Sequence, residues 1–208
     1  MSVKPGPDPS AKEKALARRL ALPLLAFVFG AVALLMAVAV VFMPREGQQV
    51  AAVGGPFSLV DQDGKAFTEK DLLGKPSLVF FGFTHCPDVC PTTLYEITQV
   101  YSELAAKGDK VRAVFVTVDP ARDTPELMKT YLSSFDPHIV GLSGSQAAVD
   151  GIMKAYRVFA RKVPGENGNY TMDHTALVYL MDAKGRFVGA FNLQKSPAEA
   201  AKELERYM

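Results

Sequence analysis

Scarcity of net charge and of cysteine sets the first limits on this chain. Its 208 residues carry 23 basic and 22 acidic side chains, for a net charge of +1. Such a balance gives no electrostatic footing for nucleic acid, and no nucleic-acid partner is expected. Two cysteines are too few for a disulfide scaffold. There is no internal repeat and no low-complexity tract, which removes repeat architectures. The length suits one ordinary domain with a short appendage, not two comfortable domains.

Charge is missing altogether from residues 20–43, LALPLLAFVFGAVALLMAVAVVFM. A membrane-spanning helix needs about 20 apolar residues, so this run is expected to be a transmembrane anchor. Lys4, Lys12, Lys14, Arg18 and Arg19 precede it, against Asp8 and Glu13, whereas Arg45 and Glu46 nearly cancel behind it. The positive-inside rule then keeps residues 1–19 in the cytoplasm and sends the remainder across the inner membrane to the periplasm. A cleaved signal peptide is the alternative, because Ala37-Val38-Ala39 resembles a small-x-small site, but its apolar region usually spans about 7–15 residues. Pro44 and Val53-Gly54-Gly55 argue against a core helix, and the lack of a nearby cysteine argues against a lipid anchor. On either surviving reading the folded part is exported.

Residues 44–55, rich in Gly and Gln, form an expected linker, leaving residues 56–208 as the domain. Residues 57–60 and 65–67 read as a hairpin across Asp61-Gln62-Asp63-Gly64. The continuous apolar runs at residues 78–83 (LVFFGF) and 111–118 (VRAVFVTV) read as buried strands. Between them Leu94, Ile97, Tyr101 and Leu104 recur at helical spacing over residues 91–107. Asp123-Thr124-Pro125-Glu126 opens a helix to about residue 135. A strand at 139–142, a helix at 146–156, a hairpin of strands 176–181 and 186–191, and a last helix from Ser196-Pro197 complete the pattern. Residues 162–170 read as a loop. Strand–helix–strand followed by hairpin–helix implies an α/β fold with a mixed central sheet flanked by helices.

Cys86-Pro87-Asp88-Val89-Cys90-Pro91 falls where a buried strand gives way to a helix. Ligands of open α/β sheets bind beyond strand C-termini, and helix N-terminal amides favour thiolates. Spacing of four puts both sulfurs on one side. A structural disulfide is one alternative, but so short a loop removes little chain entropy. A redox or metal role suits the spacing better. His85 reads as structural or as supporting its neighbour, and His138 as a solvated loop residue. His174 precedes an apolar strand, and a lone histidine there is more often structural than a ligand. Asp119, Arg122 and Asp123 read as helix capping and a local ion pair, or as groups that dock a partner or orient the site. Asp173 either orients His174 or caps its strand.

Three stretches, LVFFGFTHCPDVCPTTL, VTVDPARDTPELMKTY and MDHTALVYLMDAKGRF, occur in an order that resembles the Sco/SenC family. The resemblance covers most of the domain and implies a thioredoxin-like fold behind a membrane anchor. It also implies one copper ion, Cu(I) or Cu(II), held by Cys86, Cys90 and His174. No proline precedes the late strand where thioredoxins carry a cis-proline; a histidine stands there instead. Two thiolates and an imidazole suit copper, with zinc the competing metal. Residues 164–169 are expected to let His174 swing. The implied role is a metallochaperone that receives copper from upstream donors and serves the copper A centre of cytochrome c oxidase subunit II. The enzyme alternative is a thiol-disulfide oxidoreductase using Cys86 and Cys90 on that subunit; a redox or copper sensor is the third. A peroxiredoxin-like peroxidase is disfavoured, because Phe83 replaces the threonine expected three residues before the reactive cysteine.

Overall fold

A computed structural model describes residue 30, residues 34–36 and residues 53–208. The expected cytoplasmic tail, most of the apolar run and most of the linker lie outside the described residues. Gly30 and residues 34–36 are helical and exposed. Among the described residues, no helix is long and apolar enough to cross a membrane.

The domain is a seven-stranded sheet with helices packed on it. In chain order come β1 (Ser58–Asp61), β2 (Ala66–Thr68), β3 (Ser77–Gly82), α1 (Val89–Leu104), β4 (Arg112–Thr117), α2 (Pro125–Leu132) and β5 (Ile139–Ser143). Then follow α3 (Gln146–Tyr156), β6 (Ala160–Pro164), β7 (Tyr170–His174), β8 (Val178–Met181), β9 (Phe187–Ala190) and α4 (Pro197–Leu204). The sheet order is β2-β1-β5-β4-β3-β8-β9. β3, β4 and β5 run parallel, and the others pair antiparallel.

Every residue of β3 is buried, because strands covered on both faces are continuously apolar. The buried stripe of α1 is Cys90, Leu94, Ile97, Tyr101 and Leu104, with Val100 beside it. Its spacing continues the sequence-predicted stripe back by one turn, to Cys90. Helix starts follow local chemistry. Thr124 caps α2, accepting from the Leu127 amide at 3.3 Å, with Pro125 behind it. Ser196 and Glu199 form a capping box on α4.

One expectation fails. Residues 162–164 and Tyr170 are strand rather than loop, leaving only the turn at 165–169: β6 and β7 pair antiparallel from Ala160 opposite His174 to Pro164 opposite Tyr170. Both strands are largely exposed, so the alternation that marks a half-buried strand is absent. His174 closes the base of this ladder, and the turn over residues 165–169 lies at the far end.

His138 is also more than a solvated loop residue. Its ring stacks on Tyr101 at 5.1 Å and 8°, and its two nitrogens face Asp136 at 2.7 Å and Asp109 at 3.2 Å. The Asp136 hydrogen bond raises its pKa above the ordinary 6.5, helped by Asp109 and opposed by partial burial. A raised folded pKa gives stability that is complete below the unfolded value and is lost as pH rises through the folded one. The melting temperature of the wild type is expected to fall relative to His138→Asn as pH rises from below the ordinary histidine value of 6.5 through the raised folded one. Parallel profiles would mean that the cluster adds nothing.

Candidate metal centre

The register of β8 on β3 brings the histidine to the cysteines. Val178 lies opposite Phe80, and Leu180 opposite Leu78, so the chain just before β8 emerges beyond the C-terminal end of β3. That is where the Cys86 loop begins. His174, four residues before Val178, lands there, and its Nε2 stands 3.7 Å from the Cys90 sulfur.

Cys90 occupies the second position of α1 and is fully buried, whereas Cys86 lies before the helix and is half-buried. The Cys90 amide donates to the Cys86 sulfur at 3.4 Å. The sulfur thereby does the work of an N-cap, for the Asp88 side chain makes no cap bond. Burial pushes the Cys90 thiol well above its ordinary pKa, so an ion arriving there has to displace a proton. Both cysteines are free thiols.

His174 Nδ1 lies 3.1 Å from the Thr175 carbonyl. A carbonyl only accepts, so Nδ1 carries the proton and Nε2 presents its lone pair toward Cys90. The imidazole meets the Phe83 ring edge-to-face at 5.7 Å and 88°. The three donor atoms all lie within 4.8 Å of one another. Donors about 2.0–2.3 Å from one shared ion stand at most ~4.6 Å apart, so a small side-chain adjustment completes a three-donor site. A cleft of about 250 Å³, lined among others by Phe83, Cys86, Pro87, Val89 and His174, opens over it.

The remaining candidates separate clearly. His85 lies beside the centre but faces a second cleft with Arg122 and Tyr170; its Nδ1 sits 3.0 Å from the Thr84 hydroxyl. Asp173 pairs outward with Arg161 across the hairpin at 3.0 Å. Asp119 and Arg122 do form an ion pair, but Thr124 caps the next helix, and Asp119 and Asp123 are buried. Burial of two carboxylates left no mark in the sequence.

A residue that sequence reasoning missed is Gly82. A Cβ there would sit 2.6 Å from the Phe115 ring and 2.7 Å from the Cys90 sulfur. Only the bare backbone lets the helix seat its sulfur against the strand.

A thioredoxin-like domain with two thiols and an imidazole within 4.8 Å of one another, Cys86 and His174 lining a cleft and Cys90 buried behind it, has the donor set of a metal-thiolate site. The chain belongs to the SCO1/SenC family, whose pattern matches residues 45–208. It is similar to the structure of ScoI from Bradyrhizobium japonicum with copper bound, at 60% identity and a TM-score of 0.74, over 76% of this chain and all of that one. Yeast Sco1 with copper bound is 41% identical with a TM-score of 0.67, over 74% of this chain and 87% of that one. The SCO2-like protein of Rickettsia felis is 40% identical over 155 residues, 74% of this chain and 76% of that protein.

Gly82→Ala is expected to destabilise the domain by about 1–3 kcal/mol through overpacking and to weaken metal binding, because the buried donor has to move. Denaturant unfolding beside metal titration checks this. A variant with unchanged midpoint and affinity would show that the strand yields freely.

Proposed function

We propose that this chain is a copper chaperone for cytochrome c oxidase assembly. It holds one copper ion on Cys86, Cys90 and His174 and hands it to the copper A centre of oxidase subunit II. The observation that carries this reading is the gathering of three soft donors within 4.8 Å at the mouth of an open cleft. Thiolate and imidazole together suit Cu(I) and can also hold Cu(II). Three protein donors leave one side of the ion facing the cleft, where an acceptor's ligand can enter before the chaperone's own ligands let go. Kinship supports the cargo, since two similar proteins were solved with copper bound. Upstream copper donors load the site through the same cleft.

We further propose an arrangement for the rest of the chain. Residues 1–19 stay in the cytoplasm, residues 20–43 span the inner membrane, residues 44–55 link, and residues 56–208 work in the periplasm. The uncharged run and its basic flank support that arrangement. A second reading is favoured by the pairing of a half-buried Cys86 that lines the cleft with a buried Cys90. Such a pair suits thiol–disulfide exchange, in which the chain reduces the cysteines of subunit II and His174 is dispensable.

Anaerobic Cu(I) titration of the reduced full chain in detergent separates the two. One tightly bound ion is expected, weakened at least tenfold in both His174→Ala and Cys90→Ser, about the loss seen when the support of a metal ligand is removed. Binding indifferent to His174 would leave the dithiol as a reductant. In spheroplasts, added protease is expected to remove a C-terminal epitope and to spare residues 1–19. Protection of the epitope would overturn the topology.

A further inference from the structure

After β4 the chain reads Asp119-Pro120-Ala121-Arg122-Asp123. Asp119 is 1% exposed and Asp123 fully buried. Buried carboxylates need partners, and these two find them on the two segments that carry the donors, Asp123 on the cysteine loop and Asp119 on the strand that ends at His174. Asp123 accepts the Thr84 amide at 3.1 Å, the Thr84 hydroxyl at 2.6 Å and the Thr117 hydroxyl at 2.6 Å. Thr84 stands two residues before Cys86. Asp119 accepts the Tyr170 hydroxyl at 2.9 Å and pairs with Arg122 Nε. Arg122 Nη1 donates to the Tyr170 carbonyl at 3.0 Å, and its guanidinium lies 3.8 Å from the Tyr170 ring centroid. Tyr170 begins β7, the strand that ends at His174. The same guanidinium is 5.8 Å from the centroid of Phe83, the ring that packs on the His174 imidazole.

We propose that Asp119, Arg122 and Asp123 form a bracket that sets the separation between the cysteine loop and the His174 hairpin, as positioning residues of the metal centre. The inference rests on the reading of Cys86, Cys90 and His174 as ligands. Its force comes from topology. β6 and β7 make a two-stranded sheet of their own, outside the seven-stranded ladder, so beyond the chain links at its base the hairpin is located by side-chain contacts. The bracket supplies such contacts at Tyr170, and through Phe83 it reaches the imidazole itself. Arginine is required because its planar fork serves Asp119 with one nitrogen and the Tyr170 carbonyl with another, which a lysine ammonium cannot do in that geometry. Helix capping does not explain the element, since Thr124 performs it.

The test uses the reduced full chain in detergent, with Tyr170→Phe and Arg122→Lys made alone and in the His174→Ala background. Cu(I) affinity is read by competition, and the copper-free proteins are examined for the NOE between the Phe83 and His174 rings. Each variant is expected to lose roughly tenfold in affinity, to add no loss once His174 is gone, and to weaken the ring–ring NOE while amide shifts of β1 and β2 stay put. Equal losses in both backgrounds, or wild-type affinity and NOE in both variants, would overturn the bracket and leave the metal centre intact. If His174→Ala itself binds copper as tightly as wild type, the ligand reading falls and the bracket falls with it. Should Arg122→Lys fail to fold, Tyr170→Phe decides alone, since it removes a single hydroxyl.

Discussion

β3 and β8 lie antiparallel at the heart of the sheet, with Val178 opposite Phe80, and this register decides where His174 goes. A slip of one residue would turn every β8 side chain to the other face and move the histidine away from the sulfurs. All four β8 residues and all six of β3 are buried, so a slip would swap side chains of different size between two packed faces and disrupt the packing of the whole core. The metal centre therefore inherits its geometry from the most heavily buried part of the molecule. The β6–β7 hairpin is the means of delivery: it leaves α3, folds back on itself, and re-enters the sheet through β8 with His174 at its base.

The three donors are held by different physics. Cys90 is fixed by burial, as one more residue of the α1 stripe packed against Gly82 and Phe115. Cys86 is held by the Phe83 carbonyl, which accepts its amide at 3.2 Å, and by the helix amide that reaches its sulfur. His174 is held by the Thr175 carbonyl and the Phe83 ring. Phe83 thus touches the surroundings of two donors from a single position at the end of β3.

Much of this was legible in the chain because it is local. β3 and β4 are continuous apolar runs, as strands buried on both faces must be. α1 shows its period, the caps at Thr124 and Ser196 stand before prolines, and the cysteine pair announces itself by spacing. The β6–β7 hairpin was not legible, since its exposed strands, holding Lys162, Pro164 and Tyr170, lack the alternation that burial imposes. Nor could spacing carry His174 to Cys90, because that meeting depends on a non-local register; the family resemblance supplied it. Asp119 and Asp123 read as helix caps and ion-pair members or as groups that dock a partner or orient the site, and the choice depends on burial, which only the folded packing creates.

Eighty-four positions separate Cys90 from His174. Closing a span of that length costs an unfolded chain about 4 kcal/mol of conformational entropy, while the two thiols stay neighbours in any conformation. An unfolded polypeptide thus offers two neighbouring sulfurs, and all three donor atoms come within 4.8 Å of one another only once the sheet has formed. Cargo bound to the folded form alone stabilises it by mass action. Loading then acts as a check on folding: a chain that has not yet completed its sheet competes poorly for scarce metal against copies that have.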